Sequence, residues 1–118
     1  MNHLHYRVRV TIFNDDDPDS LGFGKGICQL LSGIEETGSI RQASMRMGMS
    51  YSKAWKILLR TEAEFGVPLL SRGRRSGSCL TTQAQALLRR YRTALDAAQQ
   101  AVEEQMARYD RGTGLDIK

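Results

Sequence analysis

The last third of the chain contains a long stretch, from Thr82 to about Tyr109, that neither glycine nor proline interrupts. It predicts a single helix of roughly 40 Å, because an α-helix rises about 1.5 Å per residue. A chain of 118 residues is one small domain by its length and cannot cover an apolar stripe of that length alone. A second copy of the same helix is the obvious cover, so we expect a homodimer. The expected interface positions recur at alternating steps of three and four, as in a coiled-coil seam, and are Leu88, Tyr91, Leu95, Ala98, Val102 and Tyr109.

Two features weaken this seam. Ala98 is small, and Gln105, which occupies another position of the same pattern, is polar. Packing of Leu87 and Leu88 onto the chain's own domain is therefore a competing explanation of the apolar stripe. After the helix, residues 111–118 are expected to form a flexible tail.

The middle of the chain carries the start and stop signals of three shorter helices. The first is expected from about Leu21 up to Gly38, a residue type that favours the position after a helix. The second begins at Ser39-Ile40-Arg41-Gln42, which has the form of a capping box, and ends at Gly48. The third begins after Ser50 and ends at Gly66-Val67-Pro68. Two short helices joined by a turn containing glycine are typical of a helix-turn-helix.

Three short segments show strand patterns. Residues 5–13 alternate apolar and polar side chains, which is the period of a half-buried strand. Residues 69–72 and 78–81 flank the turn Gly73-Arg74-Arg75-Ser76-Gly77 and predict a basic wing. We expect all three to pair, so that the fold class is mainly α with a small antiparallel β-sheet. The chain then divides into a winged helix-turn-helix over residues 1–81 and a long dimerisation helix over residues 82–110.

Positive charge is concentrated in one part of the chain. Residues 39–93 contain eleven arginines and lysines against two glutamates, which gives +9, whereas the remaining residues sum to −5 and restore the net +4. A basic block inside a folded region indicates a polyanionic partner, usually nucleic acid, although a solvated charged face gives the same composition.

The predicted third helix brings several of these charges together. Ser52, Lys56 and Arg60 are spaced by four residues and share one helix face, opposite the expected core positions. In a helix-turn-helix the start of the second helix enters the major groove, where lysine and arginine donate to guanine. Arginines in the wing are expected on phosphates or in the adjacent minor groove, and the alternative is that they belong only to a mobile, solvated turn. The candidate DNA-binding residues are Ser50, Tyr51, Ser52, Lys53, Lys56, Arg60, Arg72, Arg74 and Arg75.

The sequence lacks the residues that several other classes of protein require. His3 and His5 are the only histidines, and no hydrolase, zinc-protease or nucleotide-binding motif occurs, so we expect no catalytic site, metal or cofactor. No stretch is apolar enough to span a membrane and no secretory signal is present, so a cytoplasmic location is expected. Cys28 and Cys79 are too few for a disulfide framework, and each is expected to be a small buried hydrophobic residue.

Several strings of residues carry a family resemblance. Gly38-Ser39-Ile40, Gly48-Met49-Ser50-Tyr51-Ser52-Lys53-Ala54-Trp55, Phe65-Gly66-Val67-Pro68-Leu69-Leu70 and Leu80-Thr81 strongly resemble the N-terminal winged-helix domain of ModE-type, molybdate-responsive transcriptional regulators. A more distant likeness is to LysR-type regulators. The resemblance covers about residues 21–109 and implies a dimeric winged helix-turn-helix DNA-binding protein whose long last helix forms the interface.

The sequence departs from this family in three places. Its wing is rich in arginine rather than glycine, which puts the strength and groove of its DNA contacts in doubt. Ala84 stands where the family usually has glycine, which affects packing at the start of the last helix. Because the chain ends at Lys118, we expect no molybdate-binding domain.

The resulting hypothesis is a stand-alone, sequence-specific transcriptional regulator whose partners are double-stranded DNA, a second copy of itself and an unidentified regulatory protein. The alternative is a winged-helix module that uses its basic face to bind an acidic protein, since a fold alone does not determine function.

Overall fold

The computed structural model describes residues 4–14, 16–72 and 77–113. It confirms a mainly helical fold with one small antiparallel sheet and a long last helix. Among the described residues, no helix combines the length and apolar character that crossing a bilayer requires. The elements in chain order are α1 (Lys25–Thr37), α2 (Ile40–Arg46), α3 (Tyr51–Phe65), β1 (Leu70–Arg72), β2 (Ser78–Leu80) and α4 (Thr82–Thr113).

α2 and α3 begin at their predicted serine caps, and α1 and α3 end at their predicted glycines. α1 begins at Lys25 rather than at about Leu21, because Phe23 pairs with Ile12 in extended backbone, and α2 ends at Arg46, two residues before Gly48. The hydroxyl oxygen of Ser39 accepts a hydrogen bond from the backbone N–H of Gln42, and that of Ser50 accepts one from Lys53, each at 3.1 Å. Gly38 ends α1 with φ 71° and Gly66 ends α3 with φ 67°, in the left-handed region that favours glycine. Local capping therefore determines these boundaries.

A single core joins α1, α2, α3 and the start of α4. At its centre Phe23 is fully buried, with its ring edge-on to Phe65 at 6.2 Å and tilted against Tyr91 at 5.8 Å between centroids. α1 and α2 approach closely where Gly33 faces Ala43, since a Cβ added to this glycine would lie 3.0 Å from that of Ala43. The remaining buried hydrophobic residues are Ile27, Leu30, Leu31, Ile34, Ile40, Ala54, Leu58, Leu69, Leu80, Ala84 and Leu88.

The prediction that residues 5–13 form a strand of the sheet is wrong. The sheet contains only β1 and β2, and the N-terminal segment forms one isolated bridge, in which Ile12 and Phe23 exchange backbone hydrogen bonds of 2.9 and 2.7 Å. Farther along, the side chain of Gln99 takes the place of a neighbouring strand: its Nε2 donates to the carbonyl of Tyr6 at 2.5 Å, and its Oε1 accepts from the N–H of Val8 at 2.9 Å. The alternating burial was correctly anticipated, but the pairing partner is α4.

α4 divides into two parts. Ala84, Leu88 and Tyr91 are buried in the core of their own chain. Past Leu95 the helix projects from that core, which gives the molecule principal extents of 60 × 31 × 23 Å. The helix also continues to Thr113, so the first residues of the expected tail are helical, and residues 114–118 lie outside the described residues.

The two cysteines differ in environment. Cys28 is half-buried on α1, whereas Cys79 is exposed, so the expectation that it is buried is wrong. The alternation of β2 explains this, because Leu80 points into the core and the preceding residue must point away from it. The Cys79 Sγ lies 3.1 Å from the Ser71 hydroxyl.

Candidate nucleic-acid interface

The turn between α2 and α3 sets the angle at which α3 leaves the body. Gly48 has φ 68°, and the N–H of Met49 donates to the carbonyl of Ser44 at 3.0 Å. Ser44 is itself buried, and its hydroxyl donates to the carbonyl of Arg41 at 2.8 Å. The carbonyl and the hydroxyl of Ser44 are therefore both hydrogen-bonded at this turn, which holds α2 and α3 in a fixed relation.

α3 is buried on one side and exposed on the other. Ala54, Leu58 and Thr61 face the core. The opposite side, which we name the recognition face, consists of the exposed residues Ser52, Lys53, Lys56 and Arg60. The structure thus brings together these four predicted residues on one surface.

The charges of the recognition face have no ion-pair partner among the described residues. Among the described residues, the single ion pair joins Arg46 and Glu36 at 2.7 Å, outside the recognition face. Arg60 is close enough to Glu64 to influence it, although burial and hydrogen bonding matter more for that carboxylate. Burial raises the pKa of Glu64, but the Ser20 hydroxyl nearby, hydrogen bonds from the N–H groups of Asn14 and Gly22, and finally the charge of Arg60 hold the pKa below its usual value.

Tyr51 stands at the start of α3, at the edge of the recognition face. It is 40% exposed, and its ring meets Trp55 edge-on at 6.3 Å between centroids. The guanidinium of Arg41, from α2, lies over the same ring at 4.7 Å from its centroid. Such a cation–π contact orients both groups. Sequence reasoning missed Arg41 as part of this surface, because the contact crosses the turn and no spacing within one helix announces it.

Trp55 and Ser50 have structural roles. Trp55 is half-buried and packs against the core, so it anchors α3. Ser50 caps α3, so its oxygen is already engaged by a backbone N–H.

The base of the wing is well defined. β1 pairs with β2 in the register Leu70 with Leu80, Ser71 with Cys79 and Arg72 with Ser78. The N–H of Ser78 also donates to the carbonyl of Gly38 at 2.8 Å, which ties the wing to the end of α1. The side chain of Arg72 and the whole of Arg74 and Arg75 lie outside the described residues.

The described residues show no alternative centre of metal chemistry. Within them, no group of three histidine, cysteine, aspartate or glutamate side chains lies close enough to hold an ion.

Comparisons with known proteins agree with this geometry. Residues 28–85 match the family model of bacterial regulatory helix-turn-helix proteins of the lysR family. The crystal structure of the CbnR DNA-binding domain in complex with DNA superposes with a TM-score of 0.55 at 27% identity, covering 70% of this chain and 93% of that one. No curated protein matches the chain.

Two further structures of CbnR are similar as well. One is complexed with its target DNA and gives a TM-score of 0.54; the other, described as a LysR family transcriptional regulator, gives 0.53. Both are 28% identical over 68% of this chain, which spans only 27% of their length. These matches support the more distant LysR-type likeness and give no support to the ModE-type one. The fold is thus that of a winged helix-turn-helix similar to the DNA-binding domain of CbnR.

Proposed function

We propose that this protein is a sequence-specific, DNA-binding transcriptional regulator that acts in the cytoplasm as a homodimer. The observation that carries the proposal is the recognition face, on which Lys53, Lys56 and Arg60 are exposed and lack an ion-pair partner among the described residues. Buried charges are paired within the protein, whereas the exposed charges of these three side chains are available to phosphates and base edges.

The recognition face enters the major groove in this proposal. Lys56 and Arg60 donate to guanine O6 and N7, while Tyr51, Ser52 and Lys53 contact phosphates or neighbouring base edges. Arg72, Arg74 and Arg75 are proposed to contact phosphates or the adjacent minor groove. Similarity to a protein solved with its target DNA supports this arrangement.

The second copy is proposed to pack along the projecting part of α4. Leu88 and Tyr91 are buried and Leu95 packs against the core of its own chain, so the interface depends on Ala98, Val102 and Tyr109. Tyr109 is 52% exposed and Val102 is half-buried, and neither belongs to the packed core of the described residues. A symmetric dimer presents two recognition faces, which suit half-sites about 34 Å apart on B-DNA.

Selection from random duplex DNA at near-physiological salt tests this proposal. We expect retention of an inverted repeat with half-sites about ten base pairs apart. The K56A and R60A variants are compared with R108A, which removes an exposed arginine of α4 far along the chain from α3. A folded dimer that enriches no sequence would contradict the proposal and favour the protein-binding alternative.

A further inference from the structure

A cleft of about 490 Å³ lies on the side of the molecule formed by the N-terminal segment, the start of α1 and the middle of α4. Its lining includes Arg7 and Arg9 from the segment, Lys25 from α1, and Tyr91 and Leu95 from α4. The volume is within the range of roughly 300–1,000 Å³ that is typical of small-molecule sites. The segment that forms one wall precedes residue 28, where the match to the lysR family model begins.

The wall of the cleft contains an unpartnered polar group. Tyr91 is only 4% exposed, yet its hydroxyl makes no hydrogen bond to any described residue. The hydroxyl oxygen of Tyr91 is not fully enclosed by protein. Because Tyr91 lines the cleft, this oxygen is accessible from it. Burial and the nearby Cys28 raise the pKa of Tyr91, and the charge of Arg9 opposes them. The phenol is therefore a neutral hydrogen-bond donor near a guanidinium.

Charge and polarity specify the class of occupant. Three cations line the cleft, Arg7, Arg9 and Lys25, and none forms an ion pair with a described residue. One carboxylate, that of Asp96, also lines it, which leaves an excess of positive charge. Val8, Val10 and Leu95 add apolar surface. An anionic head with an apolar body matches this combination, because the cations and the phenol bind the head and the aliphatic side chains cover the body.

We propose that this cleft binds a small organic anion, a carboxylate with an aromatic or aliphatic body, through Arg9 and the Tyr91 hydroxyl. The occupant bridges the N-terminal segment, α1 and α4. Its binding needs no DNA, so it is separable from the proposed function above.

Cys28 provides a reporter, because its half-buried thiol lines the same cleft. In the full chain carrying C79S, which removes the exposed thiol, the rate of Cys28 alkylation by N-ethylmaleimide is measured with increasing 1-naphthoate or octanoate. Sodium sulfate and the neutral 1-naphthalenemethanol serve as comparisons. We expect at least one carboxylate to slow alkylation and to raise the melting temperature, since a ligand that binds only the folded state stabilises it.

Two variants locate the site. Y91F keeps the ring that packs on Phe23 and removes only the hydroxyl, and R9Q removes one cation; each is expected to weaken carboxylate binding by about tenfold, as for the loss of one charge-assisted hydrogen bond. R108Q, a charge change elsewhere on α4, is expected to leave binding unchanged. Melting curves without ligand establish that each variant is folded.

Several results would overturn the proposal. Equal protection by 1-naphthalenemethanol would show that no anion is recognised, and protection by sulfate alone would exclude an apolar body. Unchanged affinity in both Y91F and R9Q would place the site elsewhere. Protection that rises with protein concentration in the absence of carboxylate would show that a second copy fills the cleft.

Discussion

Replacement of Gln99 by alanine is expected to release the N-terminal segment while leaving the helical body folded. The side-chain amide of Gln99 makes two hydrogen bonds to the backbone of this segment, one to the carbonyl of Tyr6 and one from the N–H of Val8. A net contribution of about 0.5–1.5 kcal/mol for each bond gives about 1–3 kcal/mol for the pair. Gln99 is only half-buried, so water replaces part of what is lost and we expect about 1–2 kcal/mol.

Amide hydrogen exchange measures this effect at the atoms concerned. A loss of about 1–2 kcal/mol in local stability accelerates exchange of the Val8 N–H by roughly 5- to 30-fold. Amides in the interior of α3, such as that of Leu58, are expected to exchange at their original rate, because they open through a different and more stable unit.

The neighbouring residue supplies the matched control. Gln100 is exposed and makes no hydrogen bond to a described side chain or to the N-terminal segment, so Q100A reproduces the change in helix propensity without the lost contact. Equal Val8 exchange in Q99A and Q100A would refute the conclusion that this amide holds the segment.

Four other predictions follow from the site and the fold. K56A and R60A are each expected to relax specificity at particular bases by ~1–3 kcal/mol, whereas R74A weakens binding to all sequences and lowers the salt slope by about one; binding to single-base variants of the selected site at several salt concentrations checks this, and uniform losses in all three would contradict the assigned roles. S50A removes the cap of α3 and is expected to lower the free energy of unfolding by about 1 kcal/mol in urea titrations, against no measurable change for S52A, which caps nothing. V102E is expected to dissociate the dimer in sedimentation experiments while E104Q does not, because only the former places a charge in the proposed seam; a V102E dimer of unchanged stability would exclude this interface. Because the folded-state pKa of Glu64 is lowered, its contribution to stability is present above the unfolded-state pKa and disappears as the pH falls through the folded-state value, so E64Q should be less stable than the parent at neutral pH and equally stable in strong acid.

The helix-turn-helix was predictable because its signals are local. Ser39 and Ser50 cap the helices that follow them, and Gly38 and Gly66 end the helices that precede them. Each signal acts through hydrogen bonds or φ angles within a few residues, so its meaning does not depend on the rest of the fold. The same periodicity identified the exposed recognition face, because the side that does not contact the core is the side that remains for a partner.

The pairing of the N-terminal segment could not be predicted in this way. Its alternation correctly indicated which side chains turn inward, but alternation is the same whether the backbone pairs with a strand or with a side chain. Gln99 pairs with the segment because α4 runs beside it, and residues 6 and 99 come together only in the folded chain. The contact of Arg41 with Tyr51 is a second example, since it joins two helices across a turn.

The sequence by itself determined the four helices, the ends that serine or glycine caps, the strands of the wing and the charged face, because capping, periodicity and charge are properties of neighbouring residues. Only the tertiary structure decided how the apolar stripe of α4 is divided. Leu88 and Tyr91 are buried in their own domain, while Val102 and Tyr109 lie on the part that projects from it. The spacing of apolar residues predicts that one face of a helix is covered. Which element covers each turn depends on how far the other helices and strands extend along it.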